Sequence, residues 1–403
     1  MNILKKIYAR TYQGILYLAS NFLSFKEPKI YSGSFSIHHI FSILKDNQKN
    51  HPLIITDDTI YKLGLTKDIE MLLSEKGYKY DIYHNVRPNP TVDNVEEGLK
   101  IYISKYADCV IALGGGSSLD CAKIIAARAT NYRKSVNDMK GLLHIKNKPV
   151  LTIAIPTTAG TGSETTVAAV IVDTAKEDKY AINDPKLIPS YAILEPRYLI
   201  GLPKSVTSTT GMDALTHAIE AFIGRANTRK TKKYAIEATK LIFDNLEKSC
   251  LEPENLEYRE AMQLAAYKAG VAFTRAYVGM VHALAHALGG KYNVPHGLAN
   301  AIILPFVLKA YGHKIDKKLA TLADLTHPNN GQNVHEKAQL FIQDIEDLND
   351  RLGIKNNFKE IIKDEDIDFI IDHSYKEAYP LYPLPVLMDK DQIRKIILKI
   401  KEK

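Results

Sequence analysis

Tryptophan, disulfide patterns and long apolar runs are absent from this 403-residue sequence. Its three cysteines, Cys109, Cys121 and Cys250, are widely spaced and form no CxxC pair. That usage is typical of a reducing compartment and not of a disulfide-bonded secreted domain. No apolar run approaches the roughly 20 residues that span a bilayer. We therefore predict a cytoplasmic protein without stable insertion into a membrane.

An excess of charge of one sign is also nearly absent. The chain has 53 lysines and arginines against 46 aspartates and glutamates, a formal net charge of +7, and most basic residues alternate with acidic ones. Proteins that bind nucleic acid concentrate positive charge on one face or arm, so we expect no nucleic-acid partner. The 45% of hydrophobic and 25% of charged residues are the mixture of a globular protein with a buried core.

Residues 1–30 are predicted to form a helical extension. No small-residue cleavage site follows the basic and apolar residues at its start, so a signal peptide is not indicated. One stripe recurs at helical spacing, and it consists of Ile3, Leu4, Ile7, Tyr8, Thr11, Tyr12, Ile15 and Leu18. We expect this helix to pack on the protein or on a neighbouring subunit, and a helix lying on a membrane surface is the alternative.

Two domains follow this extension. Between residues 31 and 203, predicted strands at 53–56, 80–84, 109–113, 150–155 and 167–172 alternate with helical patterns that include 61–76 and 92–105. This alternation is typical of a doubly wound parallel sheet. From 204 to 403 helical periodicity dominates. The sequence therefore predicts an α/β N-terminal dinucleotide-binding domain at 31–203 and an all-α C-terminal domain at 204–403.

Two glycine-containing loops follow predicted strands, GGGSSLD at 114–120 and PTTAGTGSE at 156–164. Glycines at a strand end let backbone amides approach a phosphate, and the next helix adds its positive N-terminus. Each loop alone is also an ordinary turn or helix cap, and neither matches GxGxxG or a Walker loop. Asp57 ends another strand, where a carboxylate binds ribose hydroxyls and repels a 2′-phosphate. Because the carboxyl ends of parallel strands share one edge, the three positions predict a dinucleotide site.

Acidic and histidine side chains recur at helical spacing in the second half. Asp213 and His217 are four residues apart, as are His282 and His286, and His296 follows shortly afterwards. Residues four apart project from the same side of a helix. A lone buried histidine is usually a core residue, whereas several histidines with a carboxylate favour Fe(II) or Zn(II). Spacing leaves open which side chains ligate and whether the two segments meet.

Four motifs resemble, in order, the iron-containing (group III) alcohol dehydrogenase family. They are GGGSSLDCAK, PTTAGTGSE, GMDALTHAIEAF and HALAHALGGKYNVPHGLANAIILP. The resemblance implies a dehydroquinate synthase-like fold, NAD as cofactor, Fe(II) or alternatively Zn(II) as metal, and a homodimer. Family members often have proline where this chain has Ser118.

The resemblance also implies roles for individual residues. The implied metal ligands are Asp213, His217, His282 and His296. His286 is implied to lie beside them as a catalytic, proton-handling residue. The implied cofactor-binding residues are Asp57, Asn89, Gly115, Gly116, Ser117, Asp120, Thr157, Thr158, Thr161 and Lys179. Without the family, Asn89-Pro90 is a turn signal and Lys179 a surface lysine.

The implied function is a metal-dependent NAD(H) alcohol dehydrogenase or aldehyde reductase acting on a small primary alcohol, diol or aldehyde. The alternatives are a metal- and NAD-dependent polyol or glycerol-phosphate dehydrogenase, or a dehydroquinate-synthase-like lyase of the same fold. Such lyases need converging basic residues, and Lys291 is the only lysine or arginine between His282 and His296. This favours a small neutral substrate. A binding protein without catalysis would be expected to lose ligand positions, and all four are filled.

Overall fold

The computed structural model of the chain describes residues 2–20, 23, 25–176, 178–328 and 331–402. Its helices are α1 (Ile3–Ser20), α2 (His39–Asp46), α3 (Asp58–Lys62), α4 (Lys67–Glu75), α5 (Val92–Ser104), α6 (Gly116–Thr130), α7 (Lys204–Ile223), α8 (Arg229–Leu251), α9 (Leu256–Ala276), α10 (Met280–Tyr292), α11 (His296–Tyr311), α12 (Asp316–Thr326), α13 (Val334–Leu352), α14 (Ile367–Ala378) and α15 (Lys390–Glu402). Its strands are β1 (Lys29–Ser32), β2 (Pro52–Asp57), β3 (Asp81–Val86), β4 (Cys109–Gly114), β5 (Gly141–Leu142), β6 (Thr152–Pro156), β7 (Ala168–Asp173), β8 (Asp178–Asn183) and β9 (Tyr191–Leu194).

The chain divides into two compact units. Unit 1 consists of Met1–Leu23, Leu202–Pro253 and Val271–Lys403, and unit 2 of Ser24–Gly201 and Glu254–Gly270. Within the described ranges, all strands belong to unit 2, and unit 1 is built from helices. The predicted fold class, an α/β N-terminal part and a helical C-terminal part, is confirmed.

A six-stranded parallel sheet is the centre of unit 2. Its strand order is β1-β9-β6-β4-β2-β3, and each neighbouring pair is parallel. Every residue of β4 and β6 is buried. Apolar runs such as Val110-Ile111-Ala112-Leu113 suit this position, because helices cover both faces of a parallel sheet. The order makes β2, β4 and β6 consecutive neighbours, so their carboxyl ends lie side by side.

Two predicted elements of unit 2 differ in the structure. The predicted helix at 61–76 is interrupted, because Gly64 has a φ of +74° and ends the helical path between α3 and α4. The predicted strand at 167–172 forms as β7 but does not join the parallel sheet. It pairs antiparallel with β8 in a separate sheet of order β5-β8-β7. Alternation of apolar residues indicated a strand there and gave no information on its partner.

Residues 254–270, the first part of α9 included, pack in unit 2, which differs from the predicted domain boundaries. The cause is a close approach of two glycines: a Cβ on Gly162 would lie only 2.7 Å from Cα of Gly270. Gln263 adds hydrogen bonds from Nε2 to the carbonyl oxygens of Pro156 (3.1 Å) and Glu195 (3.3 Å). These are contacts between distant parts of the sequence, which helical periodicity does not report.

The N-terminal helix α1 packs in unit 1 through polar side chains. Arg10 donates from Nη1 to the carbonyl oxygen of Leu384 (2.8 Å), and Gln13 donates from Nε2 to those of Pro380 (2.9 Å) and Tyr382 (2.7 Å). The apolar stripe instead faces outward. Its exposed members are Ile3, Leu4, Ile7, Tyr8, Ile15 and Leu18, with 57–70% of each residue accessible. The helix therefore packs on the protein through the face that carries Arg10 and Gln13, and the stripe stays available for a neighbouring subunit.

Among the described helices, none combines the length and the apolar character that a membrane-spanning helix needs.

Candidate metal centre and cofactor loops

Three helices of unit 1 bring the four predicted metal ligands together. Asp213 and His217 lie one turn apart on α7, His282 lies on α10 and His296 begins α11. One ligand atom from each side chain lies within 4.8 Å of those from the other three. Asp213 Oδ1 is 3.4 Å from His296 Nε2 and 3.8 Å from His282 Nε2. We call these four residues the HD cluster; His296 is half-exposed and the others are buried.

Close backbone packing places His296 against α7. A Cβ on Gly297 would lie 2.3 Å from the carbonyl oxygen of Thr209 and 3.4 Å from Cβ of Asp213. No side chain fits there, so glycine is required for α11 to begin beside Asp213. The helix start thereby sets the position of the His296 imidazole.

Glu220 is a functional residue that the sequence reasoning missed. It is buried on α7, and its Oε2 lies 2.7 Å from His282 Nδ1. The same carboxylate accepts the backbone N–H groups of Gly279 (2.7 Å) and Val281 (2.8 Å). A carboxylate on Nδ1 fixes the imidazole so that Nε2 faces the cluster. Helical spacing could have indicated this residue, because Glu220 lies two turns after Asp213 on the same helix.

Asn300 is the second residue missed. It is fully buried on α11, one turn after His296. Its Nδ2 lies 2.6 Å from Asp213 Oδ1, 3.2 Å from His282 Nε2 and 3.1 Å from His296 Nε2. An amide nitrogen has two hydrogens and cannot donate to three acceptors at once. The three ligand atoms therefore converge on a donor, as they would on a cation.

The donor set fits a divalent transition metal. Three imidazoles and one carboxylate suit Fe(II) or Zn(II). Buried polar atoms normally have partners, yet His217 Nδ1 and Asn300 Oδ1 have none among the described residues. An unpartnered buried imidazole nitrogen on one of the four residues fits a metal-ligating set better than an ordinary hydrogen-bonded core histidine.

The electrostatics of the HD cluster also favour a cation. Burial works against ionisation of Asp213, but His217, His296 and His282 hold its pKa well below the usual range. Burial lowers the pKa of His217 well below its usual value, so its imidazole is neutral. Burial opposes protonation of His282 as well, but hydrogen bonds with Asp213 and Glu220 raise its pKa to about 9. The cluster thus combines an ionised carboxylate with an imidazole whose Nε2 proton a bound metal ion would displace.

His286 lies beside the HD cluster and not in it. Its ring centroid is 5.1 Å from that of His296, and 43% of its side chain is exposed. Its Nδ1 lies 2.6 Å from Glu377 Oε1, which also accepts from the Tyr382 hydroxyl (2.7 Å). Glu377 and Tyr382 had no sequence signal, because they are about ninety residues away from His286 along the chain.

The loops after β2, β4 and β6 meet in unit 2. Ser118 donates from Oγ to Asp57 Oδ2 (3.2 Å), and the backbone N–H of Thr157 donates to the carbonyl oxygen of Gly114 (3.0 Å). A Cβ on Gly115 would lie 3.7 Å from Thr158, and one on Gly116 would lie 3.0 Å from Thr161. α6 begins at Gly116, so its N-terminal amides face this junction.

Asn89 and Lys179 are joined to the same junction. Asn89 has a φ of +55°, its backbone N–H donates to Ser117 Oγ (3.3 Å), and its Oδ1 accepts from Lys179 Nζ (2.7 Å). An asparagine tolerates this left-handed conformation better than most residues. Asn89 and Lys179, which local sequence alone indicates as a turn and a surface residue, therefore lie beside the glycine loops.

Asp120 and Asp57 also form hydrogen bonds that hold the loops after β2, β4 and β6 in place. Asp120 accepts from the Ser163 hydroxyl on Oδ1 (2.6 Å) and from the Val170 N–H on Oδ2 (2.9 Å), so both oxygens bind the protein. It holds the second glycine loop against β7. Asp57 Oδ1 caps α3 by accepting the N–H of Ile60 (3.0 Å).

Glycine loops at adjacent strand ends and a buried histidine–aspartate cluster are typical of a metal- and dinucleotide-dependent oxidoreductase. The sequence profile described as Iron-containing alcohol dehydrogenase matches residues 27–196. The profile described as Fe-containing alcohol dehydrogenase family, C-terminal, matches residues 207–400. The chain therefore belongs to the iron-containing alcohol dehydrogenase family, and the resemblance predicted from its motifs is confirmed.

Individual relatives cover most of the chain. NAD-dependent methanol dehydrogenase of Bacillus methanolicus is 35% identical over 356 residues, which are 88% of this chain and 93% of that protein. Lactaldehyde reductase of Escherichia coli (strain K12) is 35% identical over 318 residues, 78% of this chain and 83% of that protein. The solved structure of alcohol dehydrogenase from Oenococcus oeni has a TM-score of 0.89 at 32% identity, covering 94% of this chain and all of that one.

Proposed function

We propose that the chain is a metal-dependent NAD(H) alcohol dehydrogenase, or aldehyde reductase in the reverse direction, for a small primary alcohol, diol or aldehyde. The observation that carries this proposal is the convergence of one carboxylate and three imidazoles from α7, α10 and α11. The similar proteins named methanol dehydrogenase and lactaldehyde reductase support a small oxygen-bearing substrate.

In this proposal Asp213, His217, His282 and His296 hold Fe(II), with Zn(II) as the alternative. Glu220 keeps His282 Nε2 directed at the ion through its hydrogen bond to Nδ1. When bound, the ion acts as a Lewis acid on the substrate oxygen, and NAD(H) accepts or donates the hydride. A divalent ion held by one carboxylate and three neutral imidazoles would keep one net positive charge for this role.

The glycine loops of unit 2 are the proposed NAD site. Backbone amides at Gly115, Gly116 and Ser117 and hydroxyls of Thr157, Thr158 and Thr161 offer donors to phosphate and ribose oxygens. Asp57 binds the ribose and disfavours a 2′-phosphate. Asn89 and Lys179 form one wall through their hydrogen bond, and Asp120 positions the second loop.

His286 is the proposed proton carrier. Its Nδ1 is bound to Glu377, which leaves Nε2 to exchange a proton with the substrate oxygen directly or through water. A His286→Ala variant should therefore have a lower kcat and an altered pH–rate profile. An unchanged kcat and profile would remove this assignment.

A homodimer in the cytoplasm completes the proposal. The outward apolar stripe of α1 supports association with a second subunit, because exposed apolar patches usually mark interaction surfaces. Sedimentation analysis of the full chain tests the oligomeric state.

NADH oxidation by anaerobically purified protein is the direct test of the activity. Short aldehydes, hydroxyaldehydes and diol precursors are compared with added Fe(II), with Zn(II) and with chelator. We expect turnover that is lost with chelator and in His282→Ala. The control His327→Ala, which changes a histidine outside the HD cluster, should retain it. Metal-loaded, NADH-binding protein that reduces no aldehyde would overturn the proposal and favour a lyase reaction.

A further inference from the structure

A second histidine–aspartate cluster lies in unit 1, outside the HD cluster. It consists of His313 in the short turn that follows α11, Asp316 at the start of α12 and His335 in the first turn of α13. One ligand atom from each of the three side chains lies within 4.8 Å of the others. In the part of the chain that the structure describes, only this cluster and the HD cluster bring three or more such ligand atoms together.

The two imidazoles present the same nitrogen to the same carboxylate oxygen. His313 Nδ1 and His335 Nδ1 each lie 2.9 Å from Asp316 Oδ2. The ring centroids are 4.4 Å apart. Ligands about 2.1 Å from a tetrahedral Zn(II) are about 3.4 Å from each other. The cluster therefore needs only a small outward movement of its side chains to surround an ion.

The backbone that carries these side chains is already fixed. Lys337 pairs with Asp324 (2.6 Å), and Asp344 accepts from Thr326 and contacts His327, both at 2.9 Å. These contacts tie α12 to α13. The cap residue Asn333 accepts the N–H of His335 (3.0 Å) and so fixes the start of α13. Little ordering of the backbone is left for a ligand to impose.

Ordinary helix capping does not account for the arrangement. A negative charge on Asp316 is favoured at the start of α12 by the helix dipole, but this does not explain two converging imidazoles. Burial works against ionisation of Asp316, yet hydrogen bonds with His313 and His335 lower its pKa and keep it charged.

We propose that His313, Asp316 and His335 form a second site for a divalent transition-metal cation of the Zn(II) class. Two imidazoles and one carboxylate prefer such ions to Mg²⁺ or Ca²⁺, whose ligands are oxygens. His313 and His335 have 79% and 49% of their side chains exposed, so water completes the coordination. An ion held there joins the ends of α11, α12 and α13 and stabilises the folded chain by mass action.

The test counts Zn(II) on the full-length protein. Wild-type protein is equilibrated with micromolar ZnCl2 and analysed for bound zinc, beside a variant that carries His313→Ala and His335→Ala. We expect the double variant to bind one Zn(II) per chain fewer while its aldehyde reductase activity stays unchanged. The matched control is His51→Ala, which removes an imidazole from a histidine–aspartate pair in unit 2 that lies in neither cluster. It should bind as much zinc as the wild type.

Thermal stability gives a second readout that does not depend on activity. In a His282→Ala background, which disables the HD cluster, added ZnCl2 should raise the Tm, and His335→Gln should abolish the rise. If the double variant does not fold, the single variant His335→Gln provides the test, because it keeps His313 paired with Asp316. Equal zinc content in wild type and double variant, or a Tm rise that survives His335→Gln, overturns the proposal.

Discussion

His282 on α10 is joined to α7, the helix that carries Asp213 and His217, through Glu220. Nδ1 of the histidine lies 2.7 Å from Oε2 of the glutamate, and the same carboxylate accepts two N–H groups at the start of α10. Glu220 thus orients the His282 imidazole and also accepts two backbone N–H groups at the N-terminus of α10, which would otherwise lack partners.

Replacing Glu220 by glutamine should weaken metal binding without unfolding the protein. The amide keeps the size of the side chain but removes the charge that holds the His282 proton on Nδ1, and such changes typically cost about 10- to 100-fold in affinity. Competition with a chromogenic chelator measures this. Asp344→Asn, which changes the carboxylate that contacts His327, is the control and should leave metal affinity unchanged. Wild-type affinity in Glu220→Gln would contradict the role given to this residue.

Gly297→Ala should displace His296. The added Cβ would lie 2.3 Å from the Thr209 carbonyl oxygen, so α11 must shift. Overpacking of this kind costs about 1–3 kcal/mol, and we expect at least about tenfold weaker metal binding. Gly290→Ala is the control, since its added Cβ meets no atom within 4 Å. If Gly297→Ala retains full metal content and activity, glycine is not what positions this ligand.

Asp57→Asn should relax the preference for NADH over NADPH. Asparagine still caps α3, so the loop is retained, while the charge that repels a 2′-phosphate is lost. We expect the ratio of kcat/KM for NADPH to that for NADH to rise about tenfold, equivalent to about 1.4 kcal/mol. Asp58→Asn removes a neighbouring exposed charge and should leave the ratio as it is. An unaltered ratio in Asp57→Asn would place coenzyme discrimination elsewhere.

Glu164 should make stability depend on pH. Burial raises its pKa from 4.5 to about 7, so between these values the folded protein holds a proton that the unfolded chain has lost. Stability contributed by this group therefore falls as pH rises through about 7. Glu164→Gln should equal the wild type near pH 5 and exceed it near pH 8.5, by up to about 3 kcal/mol. Denaturant unfolding at both pH values measures this, with the exposed Glu75→Gln as the control expected to show no such difference.

The sequence predicted features that depend on local spacing. Helical periodicity put Asp213 and His217 on one side of α7, and strand-ending glycines indicated loops that the sheet order brings side by side. Glu220 and Asn300 were equally accessible by spacing, because each lies on a helix that carries a proposed ligand. Spacing does not show that these two side chains contact the ligands, so their role appears only in the folded chain.

Other features arise only from the folded chain. Glu377 reaches His286 across about ninety residues of sequence. The apolar stripe of α1 predicted a buried face, yet the face that packs on the protein carries Arg10 and Gln13, which donate to carbonyl oxygens of Leu384 and Tyr382. Hydrophobic periodicity shows which side chains share a face of a helix. It does not show which face packs against the rest of the protein.

The contact of α1 with the segment around Tyr382 makes this helix part of the support of His286 in unit 1. Gln13 binds the backbone of Tyr382, whose hydroxyl binds Glu377, whose carboxylate binds His286. Removal of the first twenty residues would take donors away from four carbonyl groups and would loosen the support of His286, which is distant in sequence. An affinity tag for purification is better joined to the other end of the chain.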